Sequence, residues 1–224
     1  MNSECIAAVI PAFNEERKIG GIVTDVSPHV DLVVVVDDGS NDNTGEIARD
    51  SGAVVVTHDT NKGYDQSIDD GFTVADERGA SIVFTFDADG QHFADDIPRI
   101  LEPIRSGTAD IVVGIRPSKA RLSESLFALY TGARIGVVDP LCGFKAYRID
   151  VYHDAGCFDS YSTTGTQLML HGKKHGYDID QVSIQLAERE DESRFGQRIE
   201  ANWKIVQSIA RLLWFDITTK SSPN

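Results

Sequence analysis

Five short runs of apolar, mostly β-branched residues recur along the first half of the chain, each followed by turn residues and a stretch with helical spacing. Runs that are apolar throughout are typical of strands buried on both faces of a parallel sheet. The runs are Cys5 to Ile10, Asp31 to Val36, Ala53 to Thr57, Ser81 to Phe86 and Asp110 to Gly114, with helices predicted near 15–27, 42–51, 64–78 and 93–106. The alternation predicts an α/β fold, a Rossmann-like, mostly parallel sheet with helices on both faces.

The regular alternation stops after Gly114. Further helices are predicted near 122–135 and 165–174, a strand near 178–184, and a last helix near 196–215. The last helix is amphipathic, and its apolar stripe consists of Ile199, Trp203, Val206, Ala210 and Leu213. The 224 residues contain no internal repeat and no linker-like tract, so residues 1–224 are predicted to form a single domain.

The charge of the chain is large and uneven. The net charge is −14, with 7 basic against 22 acidic residues in 1–112 and 14 against 13 in 113–224. Such an acidic first half argues against a nucleic-acid partner, because affinity for a phosphate backbone comes mainly from Lys and Arg. The acidity is also typical of a halophilic protein, and a melting temperature that did not rise with KCl would contradict that interpretation.

Cysteine usage and hydropathy predict a cytoplasmic protein. Cys5, Cys142 and Cys157 are odd in number and have no metal-ligand spacing, which indicates free thiols in a reducing compartment. No run approaches the ~18 residues of a membrane span, and the start lacks a signal-peptide pattern. The last helix is interpreted as part of the core. Its basic residues leave open two further roles, peripheral contact with the cytoplasmic membrane face and contact with a membrane partner protein.

Polar motifs follow the first two predicted strands. Pro11-Ala12-Phe13-Asn14-Glu15 ends the first strand, and by itself it is equally compatible with a helix cap. Asp37-Asp38-Gly39-Ser40 ends the second strand, and two carboxylates leaving a buried strand need partners, such as the donors of a nucleoside. Ser40 or Asp42 would otherwise serve only to cap the next helix.

The fourth run ends in Asp87-Ala88-Asp89-Gly90-Gln91-His92. Alternate residues of an extended segment point the same way, so Asp87, Asp89 and Gln91 can present oxygens to one point. Hard oxygen ligands suit Mg²⁺ or Mn²⁺, which take one or two carboxylates together with substrate phosphates. The chain has neither the G-x-G-x-x-G nor the G-x-x-x-x-G-K-[ST] motif, so a cation is expected to hold the phosphates in place of a glycine loop. The remaining histidines show no ligand spacing and receive no role.

These motifs, with Asn61-Lys62-Gly63 and Asp139 to Lys145 (DPLCGFK), resemble family 2 glycosyltransferases of the GT-A fold over about residues 5–195. The D-A-D-x-Q-H and D-P-x-x-G-F-K forms are most similar to the branch that makes dolichyl- or polyprenyl-phosphate sugars. The resemblance implies a donor-nucleotide half, about 1–114, and an acceptor half, about 115–224. It also implies a nucleotide-sugar donor and a Mg²⁺ or Mn²⁺ cofactor.

Carried over by position, the resemblance implies four sets of site residues. The nucleotide-sugar set is Pro11, Phe13, Glu15, Val36, Asp38, Lys62, Gly63, Asp87, Ala88, Asp89, Gln91 and Arg116. The metal set is Asp87, Asp89 and Gln91, and the catalytic residues are Asp89 and Asp139. The acceptor-phosphate set is Lys145, Ser193 and Arg194. Lys145 is equally compatible with a solvated pair with Arg148 at a helix start. Residues 189–194 are equally compatible with a charged loop. Arg116 is equally compatible with a surface arginine.

The predicted reaction is inverting transfer of a sugar from a GDP- or UDP-sugar to polyprenyl or dolichyl phosphate, whose ionised oxygen needs no strong base. A glycan hydroxyl is the alternative acceptor, and Asp139 is then the candidate base. The sequence departs from the branch at 161–167 (YSTTGTQ) and 189–194 (REDESR), which leaves the acceptor open. These departures also leave open a non-catalytic sugar-nucleotide-binding module. A nucleotidyltransferase is a third function, and the lack of a glycine-rich basic loop after the first strand counts against it.

Overall fold

The computed structural model describes residues 4–117, 122–160, 163–187 and 211–212. Seven strands and seven helices lie within these ranges. The strands are β1 (Ile6–Ala12), β2 (Leu32–Asp37), β3 (Val54–Thr57), β4 (Ile82–Thr85), β5 (Ile111–Ile115), β6 (Lys145–Arg148) and β7 (Ile179–Ser183). The helices are α1 (Ile19–Val26), α2 (Thr44–Asp50), α3 (Tyr64–Glu77), α4 (Ile97–Arg105), α5 (Leu122–Ile135), α6 (Ile149–Ala155) and α7 (Thr166–Lys174).

The strands form one sheet in the order β3-β2-β1-β4-β6-β5-β7. Strand β6 is antiparallel to β4 and β5, and all the remaining pairings are parallel. The carboxyl ends of six strands and the start of β6 therefore meet at one edge. In an open α/β sheet this is the edge where ligands bind.

Helices cover both faces of the sheet, because alternate strand residues point to opposite faces. Ala8 and Ile10 of β1 belong to one buried cluster with residues of α1, α2 and α4. Val9 belongs to the opposite cluster, with residues of α3, α5, α6 and α7. Helix α3 approaches β1 closely at Gly71, where a Cβ would come within 2.3 Å of Val9 Cγ1. The predicted α/β architecture is confirmed.

The structure corrects the predicted elements in two places. Residues 145–155, for which the sequence pattern predicts no element, form β6 and α6. The first helix begins at Ile19 instead of residue 15, because Asn14 has a left-handed φ of 57° and turns follow it. Of the predicted helix at 196–215, only 211–212 are described; they are helical, and the rest, with its apolar stripe, lies outside the described residues. No helix of the described ranges is long and apolar enough to cross a bilayer.

Candidate active site

The segments that follow β1 and β2 are tied to each other by hydrogen bonds. The backbone N–H of Asn14 donates to Ser40 Oγ at 2.9 Å, and the N–H of Asn41 donates to Asn14 Oδ1 at 2.9 Å. The N–H of Glu15 donates to Thr44 Oγ1 at 2.8 Å. The first two sequence motifs therefore form one connected rim of the sheet edge.

The predicted nucleoside residues lie together on this rim. Pro11 and Val36 are register partners in the β1–β2 pair. Phe13 follows β1 with an exposed ring, and Glu15 follows it before α1. An exposed aromatic ring beside backbone and carboxylate groups offers both a stacking face and hydrogen-bond partners.

Asp38, predicted to contact the nucleoside, is buried and holds the loop after β3. Its Oδ1 accepts a hydrogen bond from the N–H of Lys62 at 2.7 Å, and its Oδ2 accepts one from the N–H of Gly63 at 2.9 Å. Gly63 has a φ of 95°, in the region that favours glycine. The structure thus brings Asp38, Lys62 and Gly63 together, with Asp38 fixing the position of the loop residues.

His58 is a buried residue that the sequence reasoning missed. Its Nδ1 lies 2.7 Å from Asp38 Oδ1, and its Nε2 lies 2.8 Å from Asp70 Oδ2 on α3. Burial raises the pKa of Asp70, but hydrogen bonds from Gln66 and His58 outweigh burial, so this pKa is lowered. His58 therefore links α3 to the carboxylate that holds the Lys62–Gly63 loop. Only its place directly after the third strand could have indicated it.

We expect His58→Ala to lower the free energy of unfolding by about 1–3 kcal/mol, because the buried contacts of the imidazole with Asp38 and Asp70 are both lost. The KM for the nucleotide sugar should rise in parallel as the Lys62–Gly63 loop loosens. Thermal melts and initial rates measure the two effects. His29→Ala, at a partly exposed histidine in the turn after α1, is the control. His58→Asn keeps a donor near Asp38 and should recover part of the loss; equal loss in both variants would contradict the positioning role.

The Asp87-Ala88-Asp89 segment leaves β4 at the centre of the edge. Tyr64 Oη donates to Asp87 Oδ1 at 3.1 Å, and His92 Nε2 lies 3.1 Å from Asp87 Oδ2. Burial raises the pKa of Asp87, but the hydrogen bond with His92 and then the one from Tyr64 outweigh it, so the pKa is lowered. Asp87 therefore presents an ionised carboxylate to the cleft.

Asp89 joins the same centre to the first motif. Its Oδ1 accepts a hydrogen bond from the N–H of Gln91 at 3.0 Å, and its backbone carbonyl accepts one from Lys18 Nζ at 2.9 Å. Ala88 is buried in the core between the two carboxylates. The third motif is thus connected, through Lys18, to the segment that follows the first motif.

Carboxylates and amides are the ligand types that a hard divalent cation prefers. Within the described part of the chain no group of three or more His, Cys, Asp or Glu side chains is arranged to hold a metal ion. The predicted set is of another type, two carboxylates and the Gln91 amide, to which substrate phosphates add ligands. The ionised state of Asp87 at the end of β4 suits that arrangement.

The Gly143-Phe144-Lys145 turn packs directly on Asp87. Thr85 Oγ1, on β4, donates to the carbonyl of Gly143 at 2.6 Å. A Cβ at position 143 would lie 2.1 Å from Asp87 Oδ2 and 2.5 Å from Oδ1. Glycine at this position therefore leaves room for the Asp87 carboxylate.

Arg116 and Asp139 form a tight ion pair at the end of β5. The N–H, Nε and NH2 groups of Arg116 donate to Asp139 at 3.0, 2.9 and 2.8 Å, and NH2 also donates to Glu124 on α5 at 3.0 Å. Burial lowers the pKa of Arg116, but its hydrogen bonds with Asp139 outweigh burial and raise it. Arg116 is thus no simple surface arginine. Asp139 can act as a base only by giving up these bonds, and its catalytic role stays a prediction.

Lys145 corrects one expectation from the sequence. A solvated pair with Arg148 at a helix start requires an exposed lysine, but this side chain is 1% exposed on β6. Burial lowers its pKa to about 8, and its Nζ donates to the carbonyl of Thr164. Arg148 has a different partner, since its side chain donates to the carbonyl of Ile104 at 2.9 Å. Ser193 and Arg194 lie outside the described residues.

Comparison with known proteins places this chain in a family. The sequence model of "Glycosyl transferase family 2" matches residues 7–127. A UDP-N-acetylglucosamine–dolichyl-phosphate N-acetylglucosaminyltransferase of Methanococcus voltae is 27% identical over 95% of this chain and 97% of its own length. A dolichyl-phosphate hexose transferase of Haloferax volcanii is 30% identical over 84% of this chain and 86% of its own.

Among solved structures, glucosyl-3-phosphoglycerate synthase from Mycobacterium tuberculosis, crystallised with Mn²⁺, UDP and phosphoglyceric acid, matches with a TM-score of 0.79. The match is 23% identical and covers 98% of this chain and 81% of that one. The predicted GT-A type of fold is confirmed. The chain belongs to glycosyl transferase family 2 and is a glycosyltransferase. A nucleotidyltransferase and a non-catalytic binding module are thereby set aside.

Proposed function

We propose that this glycosyltransferase moves a sugar from a GDP- or UDP-sugar to a polyprenyl or dolichyl phosphate, with metal dependence and inversion at the anomeric carbon. Two relatives that align over most of this chain are named for dolichyl-phosphate transfer. The solved neighbour was crystallised with UDP and Mn²⁺. These names support the donor, cofactor and acceptor classes together.

The main structural support for a phosphate acceptor is the ion pair between Arg116 and Asp139. An attack by a sugar hydroxyl requires a base, and both oxygens of the candidate base already accept hydrogen bonds from Arg116. A phosphate monoester is already ionised at neutral pH and needs no base. The engaged state of Asp139 therefore favours a phosphate acceptor over a hydroxyl.

The chain's own residues then have distinct tasks in the reaction. The rim formed by Pro11, Phe13 and Glu15 would hold the nucleoside, and the Asp38-anchored loop would border the sugar. Asp87, Asp89 and Gln91 would hold Mg²⁺ or Mn²⁺, which when bound neutralises the charge of the leaving nucleoside diphosphate. The acceptor oxygen would approach the anomeric carbon from the opposite side, so the product has the inverted configuration.

The test is transfer of label from a panel of radiolabelled GDP- and UDP-sugars to polyprenyl phosphate, with and without EDTA. The expected result is label in the organic phase that EDTA abolishes, with one donor strongly preferred. Absence of lipid-linked label, together with metal-dependent hydrolysis of a donor, would overturn the lipid acceptor and assign a glycan hydroxyl. Label insensitive to EDTA would overturn the metal assignment.

A further inference from the structure

Three successive residues at the start of α3 connect this helix to three other parts of the molecule. The N–H of Gly63, directly before the helix, donates to Asp38 at 2.9 Å. The hydroxyl of Tyr64, the first helical residue, donates to Asp87 at 3.1 Å. Asp65, the next residue, accepts hydrogen bonds from the turn before α7. The first turn of α3 therefore joins the segment after β2, the Asp87 carboxylate and the second half of the chain.

The turn before α7 has a strained backbone that two charged side chains hold in place. The φ angle is 54° at Thr164 and 74° at Gly165. A left-handed φ is unfavourable for a β-branched residue, so it persists only where neighbouring groups fix it. The Asp65 carboxylate accepts hydrogen bonds from the N–H groups of both residues, and the Lys145 ammonium donates to the Thr164 carbonyl. Asp65 and Lys145 thus bind the same turn, one through its N–H groups and the other through a carbonyl.

Asp65 is an unfavourable residue for this position if its only role is to stabilise the fold. Burial, and then the neighbouring Asp159 carboxylate, raise the pKa of Asp65 to about 7. Its Oδ1 is closed to water and has no hydrogen-bond partner among the residues that the structure describes. A buried carboxylate with an unsatisfied oxygen lowers stability. Such conflicts with stability are expected at functional sites, which indicates a role for Asp65 in the site that α3 borders.

We infer that Asp65 is a positioning residue for the Asp87 carboxylate. Tyr64 and Asp65 are consecutive residues of one helical turn, so anchoring Asp65 on the turn before α7 also fixes the Tyr64 hydroxyl. That hydroxyl and His92 both contact Asp87. Without the anchor the first turn of α3 can shift, and a shift of about 1 Å is enough to break the hydrogen bond to Asp87. The inference rests on the proposed function, in which Asp87 helps to hold the metal ion.

The first measurement is Mn²⁺ binding to the full chain by electron paramagnetic resonance, with nucleoside diphosphate present. Asp65→Ala should weaken binding about tenfold, the size expected when a group that orients a metal ligand is displaced. Asp65→Asn keeps an oxygen that can accept from the N–H groups of the turn and should restore most of the affinity. Glu77→Ala removes an exposed acid from the other end of α3 and should bind Mn²⁺ like the unaltered protein. A lower melting temperature of Asp65→Ala with unchanged Mn²⁺ affinity would reveal a merely structural role and overturn the inference.

A double-variant cycle tests the route through Tyr64. Tyr64→Phe removes the hydroxyl and should by itself weaken Mn²⁺ binding about tenfold. If Asp65 acts through this hydroxyl, adding Asp65→Ala to Tyr64→Phe should weaken binding by no more than about twofold further. Losses that multiply to about a hundredfold would mean that Asp65 acts independently of Tyr64, and the inference would then be wrong.

A readout without metal separates this inference from the proposed function. If the unaltered protein binds no Mn²⁺, the metal assignment of the proposed function fails. The crystal structure of Asp65→Ala then decides the positioning: a Tyr64 hydroxyl that has left Asp87 supports the inference, and an unchanged contact overturns it. If Asp65→Ala does not fold, Asp65→Leu takes its place in every measurement, since it resembles the carboxylate in shape and also lacks an acceptor.

Discussion

Replacing Asp89 by Ala should lower sugar transfer by at least about a thousandfold, the size expected when several kcal/mol of charge stabilisation is lost from the leaving diphosphate. Asp89 is one of only two carboxylates in the predicted metal set, and Asp87 alone retains weak hold on a divalent cation. Its side chain is partly exposed, and it makes no contribution to either buried core cluster. The loss should therefore appear in activity and leave folding intact.

Initial rates at saturating donor and Mn²⁺ binding by electron paramagnetic resonance, with nucleoside diphosphate present, measure this effect. Asp95→Ala removes an exposed acid six residues further along and should leave both quantities unchanged. Melting temperatures of the two variants should match that of the unaltered protein. Full activity of Asp89→Ala, or loss of activity with unchanged Mn²⁺ affinity, would remove Asp89 from the metal set.

The first half of the fold could be predicted from the sequence because each of its strands is a continuous apolar run. Strands such as β1 and β2 are buried on both faces, so burial appears directly in the residue types. The candidate site residues next to them could be named for the same reason. The polar motif after β4 begins where the apolar run ends, and topology alone brings such ends to one edge.

Strand β6 escaped prediction because its residues, KAYR, carry a charge at each end. The buried Lys145 Nζ donates to the Thr164 carbonyl, a contact across 19 residues that no local pattern records. The link between His58 and Asp70 is hidden in the same way, since it joins a loop to a helix. The sequence does not record pairings made by tertiary structure. In this chain those pairings hold the Lys62–Gly63 loop and the buried end of Lys145.

Gly143→Ala should lower kcat/KM by about a hundredfold or more, although the substitution adds a single methyl group and lies outside the metal set. The added Cβ would meet Asp87 Oδ2 at 2.1 Å and Oδ1 at 2.5 Å, so the carboxylate must turn away from Tyr64 and His92. The backbone at position 143 does not have a positive φ, so alanine itself is tolerated. A displacement of about 1 Å at a catalytic group can cost that much in rate.

The substitution should affect metal binding and activity but not stability, because only the short Asp87 side chain has to move. Mn²⁺ affinity and kcat/KM should fall together, while the melting temperature changes by no more than a few degrees. Gly132→Ala is the matched control: its Cβ would lie 3.9 Å from the Val137 carbonyl, an ordinary contact, and within α5 alanine should stabilise by up to about 1 kcal/mol. If Gly143→Ala kept both its Mn²⁺ affinity and its rate, the orientation of Asp87 set by Tyr64 and His92 would not matter to catalysis, and Asp89 would be left as the principal ligand.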